Sequence, residues 1–142
     1  MQINNALSKH QLVPLVFAQD AVAASQSAVA LYCQQVHGAV ALDNVGYVMP
    51  FAGEIIGVSV GLTAAGSAGT LTVVPSIDTT ACTDPSAAIT TETEKSDSCK
   101  RGSNPFAAEA VIGAKITTSA DWNGTTSDLQ VTVWVLLNIS GI

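Results

Sequence analysis

Leu129, Val131, Val133, Val135, Leu137 and Ile139 occupy every second position of the last apolar stretch. Successive side chains of a strand point to opposite faces, so this spacing places all six on one side of an extended segment. A helix would scatter them around its circumference. The same period recurs upstream. Ile56, Val58, Val60 and Leu62 alternate with Gly57, Ser59, Gly61 and Thr63. Leu71, Val73 and Ile77 alternate with Thr70, Thr72 and Ser76. Ile112, Ala114, Ile116 and Thr118 alternate with Val111, Gly113, Lys115 and Thr117. Within Pro50–Ile77, the small residues Ala64 to Gly69 separate two such runs, which predicts an antiparallel hairpin.

The weaker segments fit the same class. Gln11–Ala18 is a short apolar strand that Pro14 confines to a sheet edge. The alanines of 20–35 favour helix. Val29, Leu31 and Cys33 nevertheless alternate and no cap is present, so Ala28–Gln34 reads as strand. Val36–Leu42 reads as a further strand and Asp43–Gly46 as a turn. Phe51, between Pro50 and Gly53, is expected to plug one end of the core. Asp78–Ala81 is a turn and Thr83–Thr93 holds a short strand. Glu92–Pro105 is polar, contains Gly102 and Pro105, and reads as a long loop. Asp121–Asp128 is a turn built on Asn123-Gly124. The expected fold is all-β: an antiparallel β-sandwich or jelly roll of seven to nine short strands with little or no helix. Residues 11–142 form one domain and residues 1–10 an N-terminal arm.

Only 11% of the 142 residues are charged, against about 25% in ordinary domains. An exterior built from Thr, Ser, Asn, Gln and Ala suits a subunit of an assembly. The polar face of the last strand points the same way, because it carries Trp134 and Leu136. Either they pack under a loop or they meet another subunit. Leu12 in the first strand and Ile142 in the apolar end of the chain join them as candidate interface residues. The net charge of −6 argues against nucleic acid. Lys95, Lys100 and Arg101 lie among Glu92, Glu94 and Asp97, as in a solvated mixed-charge loop. Ala21–Leu42 is uncharged, but Ser25, Gln26, Ser27, Gln34, Gln35 and His37 interrupt it, so no membrane span is expected. The apolar run Leu12–Ala18 is short and contains Pro14, so no cleaved signal is expected.

Catalytic patterns are lacking. His10 and His37 stand apart from any carboxylate or thiol cluster in sequence, and no nucleophile, phosphate-loop or dinucleotide fingerprint occurs. Gly57, Gly61, Gly66 and Gly69 lie in and between strands, where no helix N-terminus follows. Glu54 reads as a solvated strand end. No cofactor, metal or enzymatic activity is expected. The three cysteines form no CxxC pair, which excludes the usual zinc layouts. Cys82 and Cys99 flank a Asp/Ser/Thr-rich segment that a disulfide could close. Cys33 reads as a small buried hydrophobe. A carbohydrate platform would have to rest on Trp122 and Trp134, and requires Trp122 to be exposed.

The segments MPFAGEIIGVSVGL, AGSAGTLTVVPSID and NPFAAEAVIGAKITTSADWNGTTSDLQVTVWVLL, in this order, resemble phage virion proteins of the β-sandwich type. These include head-fibre and capsid decoration proteins and small tail-associated modules. The resemblance spans residues 48–137, about two thirds of the chain. Ala108-Glu109-Ala110 departs from it where Gly-Asp is common. The resemblance implies a structural virion component, often trimeric, made in the host cytoplasm and bound outside an icosahedral head through the major capsid protein. It carries no catalytic residues. The alternative it leaves open is a tail or fibre module that recognises host surface glycans.

Overall fold

A computed structural model describes residues 9–33 and 46–140. No helix occurs among them, and every paired strand is antiparallel. The strands are β1 (His10–Gln19), β2 (Val29–Ala30), β3 (Tyr47–Val48), β4 (Gly53–Leu62), β5 (Leu71–Ile77), β6 (Thr80–Ala81), β7 (Ala87–Ile89), β8 (Glu94–Ser98), β9 (Pro105–Phe106), β10 (Val111–Thr118) and β11 (Leu129–Asn138). The eleven among the described residues exceed the seven to nine expected because β2, β3, β6 and β9 are two-residue pieces. The expected Val36–Leu42 strand, the Asp43–Val45 part of the turn, the arm to residue 8, and Ile142 lie outside the described residues.

One sheet runs β1-β11-β4-β8, with β9 also on β4. The other runs β2-β10-β5-β6, with β3 on β10 and β7 on β5. Merging the short pieces leaves a simple rule. The first strand pairs with the last, the second with the last but one, and so on inward to β5 with β6 and β7. The chain is therefore one long antiparallel ribbon, doubled on itself and rolled into two facing sheets. That is a jelly roll.

Each sheet presents its apolar period to a common interior. Phe17, Ile55, Val58, Leu71, Val73, Ile89, Ile112, Ile116, Val131, Val133 and Val135 are fully buried there. Each such side chain stabilises the fold by roughly 1.5–3 kcal/mol. Phe17 meets Tyr47 edge to face at 5.4 Å, and the Tyr47 hydroxyl donates to Val16 O and Cys33 O.

Four expectations need correction. First, Pro50–Ile77 is not a hairpin. β4 and β5 belong to different sheets, and residues 63–70 arch between them. Periodicity gives each strand a buried face but does not name its edge partner. Second, Ile56 does not face the core. A bulge shifts the register so that Trp134 opposes Gly57 while Val135 opposes Ile55. Ile55 is therefore the buried residue and Ile56 turns outward. Third, Glu92–Pro105 is not all loop, because Glu94–Ser98 pairs with Gly57–Gly61 as β8. Fourth, the Ala28–Gln34 strand, whose last residue lies outside the described ones, is over Ala28–Cys33 only Val29–Ala30 plus a bridge from Tyr32 to Ala18.

The arch of residues 63–70 packs against a second arch, residues 119–128, that joins β10 to β11. Thr63 N donates to Asp128 O at 3.1 Å, Ser119 N to Thr70 O at 2.9 Å, and Ser127 Oγ to Ala64 O at 2.6 Å. Trp122 fills the space between them and is only 2% exposed. Glycine is required around it. A Cβ on Gly124 would stand 2.4 Å from Trp122 Cζ2, and one on Gly69, whose φ is +81°, would stand 2.4 Å from the Trp122 backbone. The Trp122 Nε1 has no hydrogen-bond partner.

Candidate functional site

The outer face of the five-stranded sheet is where the sequence-predicted interface residues come together. β1 and β11 run in strict register, with Leu12 opposite Leu136, Pro14 opposite Trp134 and Val16 opposite Thr132. Leu15 and Phe17 point into the core, so Leu12, Pro14 and Val16 must point out. Leu12 is 53% exposed and Val16 41%. Trp134 and Leu136 are half-buried. The result is an apolar stripe across two neighbouring strands, in a protein with few charged residues.

β1 is an edge strand, as Pro14 predicts. Ala18 exchanges both backbone hydrogen bonds with Tyr32, on the side away from β11. By the two-residue period, Pro14 directs its nitrogen to that same open side. The missing N–H therefore removes no bond from the β1–β11 ladder.

Trp134 owes its position to β4. Gly57 stands opposite it, and a Cβ there would touch Trp134 Cδ1 at 3.7 Å. The indole reaches across this bare position, and its Nε1 donates to Ser59 Oγ at 3.0 Å. Its polar atom is satisfied while its ring stays half in solvent, the arrangement that makes tryptophan effective at interfaces. Beside it opens a groove of about 340 Å³, bordered by Leu12, Ile56, Gly57, Ser96 and Ser98.

At the end of the stripe Glu54 opposes Leu136. It is not a free solvated strand end. Its carboxylate accepts from Arg101 Nε and from Gly102 N. Burial pushes its pKa up, but the Gly102 N–H and the Arg101 guanidinium outweigh that and leave it below the ordinary value. The pair closes one end of the stripe with a neutralised charge.

Trp134, Leu136 and Leu12 are thus assembled on one surface. Sequence reasoning missed Pro14, Val16 and Ile56. The signal for the first two was present, since they share the parity of Leu12. Ile56 was hidden by the bulge. Trp122 is sealed between the arches, so it offers no surface to a sugar, and a glycan platform loses the residue on which it depended. Cys82 and Cys99 are thiols without a bridge, on adjoining segments. Among the described residues no group of three or more His, Cys, Asp or Glu side chains is placed to hold a metal ion. No protein-family model and no curated protein matches the chain.

Proposed function

We propose that this chain is a structural, non-catalytic protein of a phage particle, which decorates the outside of an icosahedral head and stabilises it. It binds the major capsid protein and copies of itself, as a trimer, after synthesis in the host cytoplasm. The observation that supports this reading is the apolar stripe of Leu12, Pro14, Val16, Trp134 and Leu136. Large apolar groups lined up on the outer face of a sheet favour docking to another protein. Jelly rolls serve viral capsids, lectins and cupins alike, so the fold by itself selects no function. The resemblance of residues 48–137 to decoration and head-fibre proteins supplies the choice of partner.

A decoration protein adds contacts across boundaries between shell subunits. Each contact contributes only the surplus over the cost of association. Repetition over a closed shell makes small surpluses large.

The test is co-sedimentation with shells assembled from the major capsid protein of the same virus. Saturable binding, and shells that withstand higher temperature when decorated, are the expected results. Leu12→Lys combined with Trp134→Glu should abolish binding while the protein still folds. Wild-type protein that folds but never saturates the shell would overturn the proposal.

A further inference from the structure

The two cysteines on the β6–β9 side of the roll hold a second inference, which does not depend on the shell reading. Cys82 follows β6, and its N–H donates to Pro75 O on β5 at 2.8 Å. It therefore stands opposite Pro75, a buried residue on the same face of β5 as Val73. Cys99 follows β8, and its N–H donates to Ile56 O on β4 at 3.1 Å. Opposed residues of an antiparallel pair share a face. Cys82 thus shares the inward face of Pro75, and the Cys99 thiol donates to the backbone O of Ile55, the neighbouring β4 residue whose side chain is in the core, at 3.3 Å.

The segments that carry them are already tied together. Asn104 Nδ2 donates to Asp84 O at 2.6 Å and to Cys99 Sγ at 3.4 Å. Ser86 N donates to Asp97 Oδ2 at 2.8 Å. One amide group therefore spans from Cys99 to a carbonyl two residues beyond Cys82. Burial, and next the neighbouring Cys99, holds the Cys82 thiol above its ordinary pKa. Burial likewise raises Cys99. Both are consequently protonated and slow to react at neutral pH.

We propose that Cys82 and Cys99 are an oxidation site that closes to a disulfide and staples the two sheets together. The oxidant is a small-molecule disulfide. One cysteine thiolate attacks it and displaces one thiol, and the second thiolate then attacks the mixed disulfide and displaces the other. Two protein thiols are oxidised, one S–S bond of the reagent is reduced, and two protons leave with its thiols. Inter-sheet bridges of this kind stiffen other β-sandwiches.

The experiment is incubation of the native protein with oxidised glutathione, followed by non-reducing peptide mass mapping. A Cys82–Cys99 linked peptide is expected, forming faster at pH 9 than at pH 7. Its formation should raise the thermal midpoint on the order of 5–10 °C, reversibly with a reductant. Cys82→Ser and Cys99→Ser should each block the link. Stable glutathione adducts without closure, or a link to Cys33 or to a second chain instead, would overturn the proposal. The wild-type map decides even if a serine variant fails to fold.

Discussion

Asn123 and Ser67 hold each other in both directions: Ser67 N donates to Asn123 Oδ1 at 2.8 Å, and Asn123 Nδ2 donates to Ser67 Oγ at 2.8 Å. Ala68 N adds a third bond to the same oxygen at 3.1 Å. One side chain thereby adds to the backbone bond from Asn123 N to Ala68 O, 3.4 Å, that joins the same two arches. Asn123→Ala should destabilise the protein by about 1–2 kcal/mol, read from the midpoint of urea unfolding. Asn123→Asp should recover part of that loss, because it keeps the accepting oxygen.

Gly124 lies against the indole of Trp122. A methyl group there would sit 2.4 Å from Cζ2 and 2.9 Å from Cε2. Gly124→Ala should therefore cost about 2–3 kcal/mol through overpacking. Tryptophan fluorescence should show Trp122 shifting toward solvent in this variant. An unchanged stability would mean that the arch gives way more easily than its packing indicates.

The β5–β6 hairpin turns on Asp78 and Thr79, both at positive φ, +47° and +71°. A two-residue turn of this twist favours glycine at its second position, and a β-branched residue there is strained. Thr79→Gly should stabilise the protein by about 0.5–1 kcal/mol. Asp78 should not be exchanged with it, since its Oδ1 accepts from Val111 N at 2.8 Å. Thermal unfolding of the single variant is the measurement.

Glu54 has a folded pKa below its unfolded value. Its contribution is present at pH values above the ordinary carboxylate range and is lost as the pH falls through the lower folded value. Arg101 is largely exposed, so solvent screening limits the effect to about 1 kcal/mol or less. Glu54→Gln should remove this step from the acid limb of the stability–pH curve and leave the curve above pH 6 parallel to that of the wild type.

The buried faces were legible because alternation reports burial directly. Val131, Val133 and Val135 are where the period places them. Edge partners were not legible. The eight residues between Leu62 and Leu71 can make a hairpin or cross the core, and only the tertiary fold decides. β8 was invisible because Glu94, Lys95, Ser96 and Ser98 are all exposed, so burial writes no pattern into its sequence. Trp122 carried a misleading signal, since a tryptophan in a polar turn looks exposed until a second arch covers it. The surface stripe was half legible. Trp134 and Leu136 broke the polar face of β11, but Pro14 and Val16 gained meaning only once β1 lay in register beside them.

The ribbon pairing governs how the molecule is made. β1 waits for β11, more than a hundred residues later, and β4 lacks its central neighbour until the same segment arrives. During synthesis the sheet of β1, β4 and β8 lacks its central strand until Leu129–Asn138 leaves the ribosome, and the other sheet lacks β10 until Val111–Thr118 does. Ordering must then proceed by contacts that are distant in sequence, which makes it slow, and the uncovered apolar strands of the first half are exposed to aggregation throughout that delay.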